Sequence, residues 1–208
     1  MQTTCARFVV LTLAIAAVSV STLAEEEGKG KAQAAAAAKV GQPAPDFELK
    51  DLAGNVHKLS DLKDKIVVLE WWNQDCPVCR AAMPGMKDLS KQLAEKGVVW
   101  LAIDSTNYQT VENNKKYAEK EGIPYAILMD TDGTVGRAYG AKTTPHMFVV
   151  NKGTLAYAGA IDNGSASKKG DRSYVAEAVE EILAGKPVTL SETKPYGCSV
   201  KYSKPGRP

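Results

Sequence analysis

Two cysteines, Cys76 and Cys79, form a C-x-x-C pair in the segment WWNQDCPVCR, residues 71–80. An apolar strand pattern precedes Cys76, and Pro77 and a helical pattern follow it, so Cys76 is predicted at a strand-to-helix junction. Free backbone N–H groups and the positive end of the helix dipole favour a thiolate there. Cys79 is predicted one turn into the same helix and more buried. This spacing is typical of reversible disulfide exchange, in which an exposed Cys76 thiolate attacks and Cys79 resolves the mixed disulfide.

Charged residues flank the pair. Glu70 interrupts the apolar strand pattern that precedes the cysteines. Burial in a strand disfavours the charge of a carboxylate, which would suit a proton acceptor for Cys79; a solvated Glu70 is the simpler alternative. Asp75 adds a negative charge beside Cys76, and Arg80 is placed to offset it.

Apolar periodicity along the rest of the chain predicts the elements that hold the pair. Strand patterns and helical spacings alternate and are separated by glycine and proline. The predicted strands cover residues 46–49, 56–59, 66–72, 98–103, 125–129, 147–150 and 154–160, and the predicted helices cover residues 77–96, 110–121 and 174–184. This order predicts one α/β sandwich with a central mixed sheet.

Further sequence features lie at defined offsets from Cys76. An aromatic-rich strand precedes it, an acid stands six residues before it, and a helix proline, Pro84, stands eight residues after it. The Thr-Thr-Pro-His segment at 143–146 precedes a predicted strand. In these features the chain resembles the thioredoxin-like superfamily over residues 40–184. It is most similar to the exported thiol-disulfide oxidoreductases and to the redoxins of the alkyl hydroperoxide reductase/thiol-specific antioxidant group.

This resemblance implies a thioredoxin-like fold, in which a central mixed β-sheet is sandwiched by helices. An N-terminal hairpin and a strand-helix insertion between Ile103 and Thr143 would be added to it. The resemblance also implies a cis peptide bond between Thr144 and Pro145, opposite the cysteines. The backbone at this loop would pair with an extended substrate.

Trp71 and Trp72 point to opposite faces of the predicted strand. One of them is therefore expected in the core and the other against the cysteines. We assign Trp72, together with Thr144 and Pro145, to the substrate-binding site.

The leading hypothesis is thiol-disulfide exchange on an exported protein or a small thiol, with no bound cofactor and an unidentified electron donor. Cys76 would be the nucleophile, Cys79 the resolving thiol and Glu70 the proton acceptor. One alternative is a peroxidase of the peroxiredoxin type, which is weakened because the P-x-x-x-T-x-x-C pattern of that family is absent before Cys76.

A second alternative is a carrier of copper or zinc, with Cys76, Cys79 and either His146 or Cys198 as ligands. No resident metal is predicted. His146 is more often a loop residue in such a position than a catalyst, and it is treated as an accessory candidate.

Cys198 lies in the C-terminal tail, residues 187–208, outside the resemblance. An unpaired cysteine in an exported protein is a candidate for a disulfide with another cysteine. The tail could fold back so that Cys198 resolves Cys76, it could form an intermolecular disulfide, or Cys198 could be a passive thiol. Tyr196 and Tyr202 could dock the tail by burying their rings.

The N-terminus carries an apolar run at residues 8–20, typical of a signal peptide. Cleavage is expected after Ala24, which would remove Cys5, and an uncleaved segment would anchor the chain to a membrane. Residues 25–39 are predicted as a flexible linker, residues 40–186 as the domain, and the protein as exported, to the periplasm.

Composition sets broad limits on function. The chain has 208 residues, with 26 lysines and arginines against 24 acids and a formal net charge of +2. This balance gives no electrostatic reason to expect nucleic acid as a partner. The four cysteines are too few for a small disulfide-stapled scaffold.

Overall fold

The computed structural model describes residues 2, 37–168 and 170–204. Apart from Gln2, the predicted signal peptide lies outside the described residues, as do residues 25–36 of the predicted linker. Within residues 2, 37–168 and 170–204, no helix is both long enough and apolar enough to cross a membrane.

A mixed sheet carries the site. The strands are β1 (Glu48–Asp51), β2 (Val56–Lys58), β3 (Ile66–Trp71), β4 (Val99–Asp104), β5 (Ala126–Met129), β6 (Thr143–Thr144), β7 (His146–Asn151), β8 (Thr154–Gly159) and β9 (Cys198–Ser199). In the described part of the chain, one sheet has the order β2-β1-β5-β4-β3-β7-β8, and β6 pairs with β9 in a second sheet. Strand β3 pairs in parallel with β4 and antiparallel with β7, so the central sheet is mixed, as predicted.

Helices cover both faces of this sheet. They are α1 (Pro77–Glu95), α2 (Val111–Glu121), α3 (Thr134–Tyr139) and α4 (Tyr174–Leu183), and a short 3-10 helix spans Leu59–Leu62. The predicted strands and helices all occur, with small differences at their ends, and Pro84 lies inside α1. Helix α3, the 3-10 helix and the short strands β6 and β9 were not predicted from the sequence.

The alternation of side chains along β3 explains where Glu70 lies. Val67, Leu69 and Trp71 pack in one core cluster, together with residues of α3. Val68 packs in a second cluster, with residues of α1 and α4. Because successive side chains of a strand point to opposite faces, Glu70 shares the face of Val68 and lies on the side of the sheet that α1 covers.

Helix α3 is stabilised by a buried carboxylate. Asp130 accepts hydrogen bonds from the backbone N–H groups of Val135 (3.1 Å) and Gly136 (2.8 Å) and from the hydroxyl of Ser105 (2.5 Å). Only 2% of the surface of Asp130 is exposed. The first turn of a helix has backbone donors without partners in the helix, so this carboxylate satisfies groups that a six-residue helix could not otherwise pair.

We expect Asp130→Ala to lower the free energy of unfolding by about 2–4 kcal/mol, because it leaves buried donors without an acceptor. Urea denaturation measures this loss. The control is Asp132→Ala, which removes an exposed carboxylate that accepts from the N–H of Thr134 at 2.8 Å. We expect it to cost about 1 kcal/mol or less. Equal losses in the two variants would contradict the role given to Asp130.

Candidate active site

Cys76 is the N-cap residue of α1, and Pro77 is the first residue of the helix. As a thiol, Cys76 donates a hydrogen bond to the carbonyl oxygen of Thr144, with 2.9 Å between Sγ and O. The expectation of an exposed Cys76 was wrong, because only 2% of its surface is exposed. The C-terminal tail covers this position: Gly197 contacts Thr144 and Cys198 packs against the cluster that contains Cys76.

Cys79 lies one turn further along α1 and is fully buried. A hydrogen bond from the S–H group of Cys79 to the Cys76 thiolate is the main cause that lowers the pKa of Cys76, to about 4. A hydrogen bond from Cys198 to the same thiolate lowers this pKa further. The pKa of Cys79 is raised well above its usual value by burial first and then by the Cys76 and Glu70 charges. The two thiols are therefore differentiated, with Cys76 the nucleophile and Cys79 the proton-holding partner.

Glu70 is fully buried, as expected, on the strand that leads to Cys76. Burial raises its pKa to about 7, although a hydrogen bond from the indole N–H of Trp100, at 2.9 Å, opposes the rise. Among the described residues, Oε1 has no hydrogen-bond partner. The negative charge of Glu70 in turn raises the pKa of Cys79. A buried carboxylate with a free oxygen, coupled to the resolving thiol, can hold or release a proton near neutral pH.

This burial makes stability depend on pH. The pKa of Glu70 is about 7 in the folded protein and 4.5 as its ordinary value. The favourable contribution of the protonated carboxyl is therefore complete below about pH 4.5 and is lost as pH rises through about 7. Glu70→Gln carries no charge at any pH. We expect it to exceed the wild type in free energy of unfolding by on the order of 2–3 kcal/mol at about pH 8 and to match it at about pH 4.

Urea denaturation of the reduced protein at the two pH values measures this difference. Glu48→Gln, at an exposed position of β1, is the control and should not change the pH dependence. A Glu70→Gln variant that is less stable than the wild type at about pH 8 would contradict the cost of burying this charge.

The neighbouring tryptophans divide between two clusters, as predicted. Trp71 packs in the core with Tyr139 and Phe148, and its indole N–H donates to Ser105 at 3.0 Å. Trp72 packs with Cys76 and Cys79. Trp72 is fully buried, so it forms the floor beneath the dithiol.

Asp75 is exposed, next to Cys76 in the chain. Its carboxylate accepts a hydrogen bond from the side-chain amide of Gln109 at 2.7 Å, and this amide group is in turn linked to Gln74. Among the described residues, Asp75 forms no ion pair with Arg80, and its carboxylate is bound by a neutral amide instead. Sequence reasoning missed Gln109, which lies in the loop after β4, as it also missed Trp100 as the donor to Glu70.

The Thr144-Pro145 bond is cis, as the resemblance implied. Thr144 lies within hydrogen-bonding distance of Cys76, so this loop and the dithiol face each other. The backbone of β6 is not free to pair with a substrate, however. Thr143 pairs with Ser199 and Thr144 pairs with Cys198 in antiparallel register.

His146 is the first residue of β7 and pairs with Trp71 of β3 in the central sheet. Only 6% of it is exposed, its ring contacts Phe148 with 4.4 Å between centroids, and its Nδ1 accepts from the N–H of Lys142. Burial lowers the pKa of His146 to about 4, so the ring is neutral at physiological pH. Within the described ranges, no group of three or more histidine, cysteine, aspartate or glutamate side chains is arranged to hold a metal ion.

Comparison with known proteins places the chain among redox proteins of this fold. Residues 40–158 match the sequence profile of the AhpC/TSA family. The thiol-disulfide oxidoreductase ResA of Geobacillus thermodenitrificans is 36% identical over 113 residues, which are 54% of this chain and 64% of ResA. The chain thus spans slightly less than two thirds of the length of this curated relative.

Solved structures show the same fold. The crystal structure of the hypothetical protein SMc02350 from Sinorhizobium meliloti superposes with a TM-score of 0.74 at 26% identity, over 81% of this chain and 97% of that one. The thioredoxin domain of the thiol-disulfide oxidoreductase BVU-2223 from Bacteroides vulgatus superposes with a TM-score of 0.52 at 25% identity, over 58% and 87% of the two chains. The fold is thioredoxin-like, and the family match over more than half of its length shows that this chain belongs to the AhpC/TSA family.

Proposed function

We propose that this protein is a thiol-disulfide oxidoreductase that works through Cys76 and Cys79. The observation that carries this proposal is the opposite shift of the two thiol pKa values, low for Cys76 and high for Cys79, beside a buried Glu70. A structural cysteine pair has no need of this difference, whereas disulfide exchange uses it in each of its two steps.

In the first step, the Cys76 thiolate attacks one sulfur of a substrate disulfide. A bond forms between Cys76 and that sulfur, the substrate disulfide breaks, and the second substrate sulfur leaves as a thiolate that takes a proton from solvent. Cys76 no longer carries a charge in this mixed disulfide. One of the causes that raise the pKa of Cys79 is therefore removed when Cys79 must react.

In the second step, Cys79 passes its proton to Glu70 and attacks the sulfur of Cys76. The Cys76-Cys79 disulfide forms and the substrate leaves as a thiolate. The substrate has gained two electrons and the protein has lost two, so a dithiol electron donor must restore the protein for the next cycle. The same steps in reverse oxidise a substrate dithiol, with protonated Glu70 donating to Cys79.

The substrate is proposed to be an exported protein or a small thiol, held by the Thr144-Pro145 backbone. Trp72 is fully buried, so its role is to support the dithiol from beneath rather than to contact the substrate. The proposed location is outside the cytoplasm, in the periplasm, on the basis of the apolar run at residues 8–20 and of the small residues Thr22 and Ala24, after which we propose cleavage. Residues 25–39 would then form a flexible segment that precedes the domain of residues 40–186.

We expect the reduced protein to convert a peptide disulfide to its dithiol at least about tenfold faster than it consumes hydrogen peroxide. Chromatography of the peptide and a peroxide assay on the same protein preparation measure the two rates. A faster reaction with peroxide would replace the proposal with the peroxidase alternative. No reaction with either oxidant would refute both.

A further inference from the structure

The C-terminal tail is bound in a specific position by its aromatic and backbone groups. The ring of Tyr202 lies under the guanidinium group of Arg137, at 4.7 Å, and its hydroxyl donates to the carbonyl oxygen of Ala141 at 2.9 Å. Gly136 leaves the space for this ring, because a Cβ atom there would lie 2.5 Å from the hydroxyl oxygen of Tyr202. The N–H of Asn107 donates to the carbonyl oxygen of Lys201 at 2.9 Å.

This position brings the tail to the reacting sulfur. Strand β9 pairs with β6, and Cys198 lies opposite Thr144, whose carbonyl oxygen contacts Cys76. Cys198 packs against the cluster of residues that contains Cys76 and Cys79. Gly197 allows the close approach, since a Cβ atom there would lie 2.2 Å from the carbonyl oxygen of Thr144.

We propose that residues 197–200 are an internal substrate strand: they occupy the edge where an extended substrate would pair, and Cys198 exchanges with the Cys76-Cys79 disulfide to form a Cys76-Cys198 disulfide. The inference rests on the proposed exchange activity of Cys76. It follows from three observations in one place: a strand paired with the cis-proline loop, a cysteine in register with Thr144, and the packing of that cysteine against the cluster that contains Cys76 and Cys79. The family match ends at residue 158, before this strand.

The exchange needs no external oxidant beyond the one that forms the first disulfide. In the oxidised protein, Cys198 gives its proton to solvent and its thiolate attacks the sulfur of Cys76. The Cys76-Cys198 bond forms, the Cys76-Cys79 bond breaks, and Cys79 leaves with the electron pair and takes a proton from Glu70. One disulfide and one thiol are present before and after this step, so the oxidation state of the protein does not change. A peptide substrate must displace the strand before it reaches Cys76.

The test is disulfide mapping of the full chain carrying Cys79→Ser, after treatment with oxidised glutathione. The tail presents Cys198 to Cys76 at a high effective concentration. We therefore expect the internal Cys76-Cys198 disulfide to exceed the Cys76-glutathione adduct by about tenfold. The matched control adds the pair Cys198→Ser and Ser199→Cys, which moves the thiol to the opposite face of β9 without changing the number of cysteines. We expect this control to accumulate the Cys76-glutathione adduct.

The outcomes separate this proposal from the proposed function. A glutathione adduct on Cys76 with Cys198 left as a free thiol in the Cys79→Ser chain, or a disulfide-linked dimer, would overturn the internal strand and leave the exchange activity standing. A Cys76 that forms neither product would overturn both. The wild-type chain gives a second measurement, which does not depend on the folding of the Cys79→Ser variant. After oxidation and acid quenching, a fraction of the wild-type molecules should have an alkylated Cys79 and a Cys76-Cys198 disulfide. Tyr202→Ala should lower that fraction severalfold.

Discussion

Cys76→Ser is expected to lower the rate of disulfide exchange with a peptide at least about a thousandfold. A serine hydroxyl at this position is not ionised near neutral pH, so the nucleophile of the first step is lost. The loss should appear in a single turnover of the reduced protein mixed with excess peptide disulfide. It should appear equally in the reverse direction, because both directions pass through a mixed disulfide on Cys76.

Cys79→Ser is the matched comparison for this experiment. It is made one turn along the helix that Cys76 caps, in a chain that also carries Cys198→Ser so that the tail thiol cannot displace the peptide. It leaves the first step intact and prevents only the second. We expect it to react once with the peptide and then to stop. A Cys76→Ser protein that exchanges at the wild-type rate, with Cys79→Ser inactive in the first step, would reverse the roles of the two cysteines.

Glu70→Gln is expected to slow the resolution of the mixed disulfide by about a hundredfold while the attack by Cys76 changes little. In the wild type, resolution should become faster as pH rises through about 7, because the ionised carboxylate accepts the proton of Cys79. The variant should lose this transition and become faster only at the higher pH where Cys79 ionises without help. An aromatic disulfide that releases one coloured thiol at each step allows both rates to be followed in one stopped-flow experiment.

Glu48→Gln serves again as the control, since this exposed residue pairs with Lys58 on the edge of the sheet. It should retain the wild-type transition in the resolution rate. The proton-transfer role would be contradicted by a Glu70→Gln protein that keeps both the rate and the pH profile of resolution. A variant that is slower in attack and in resolution alike would indicate a structural effect instead.

The sequence predicted most of the fold and the centre of the site because the relevant signals are local. The apolar run of β3 is interrupted only by Glu70, so both the strand and the burial of Glu70 could be derived from it. The strand-to-helix junction at Cys76 could be derived from the proline and the helical spacing that follow it. The separation of Trp71 from Trp72 follows from the alternation of side chains along a strand.

What the sequence did not predict depends on contacts between distant parts of the chain. The amide of Gln109 reaches Asp75 across 34 positions, and Thr144 and Cys198 are 54 positions apart. Helix α3 is too short to show helical periodicity, and its start depends on the buried side chain of Asp130. The burial of Cys76 has the same origin, since it is the tail that covers a position otherwise suited to an exposed thiolate.

Trapping of the mixed disulfide tests the assignment of Cys76 as the nucleophile most directly. The full chain carrying Cys79→Ser and Cys198→Ser is incubated with a peptide disulfide, and the linked peptides are then located by mass spectrometry. We expect one substrate peptide joined to Cys76 in nearly every molecule. A chain with no peptide attached, or with the peptide attached only at Cys5, would contradict the assignment and with it the proposed function.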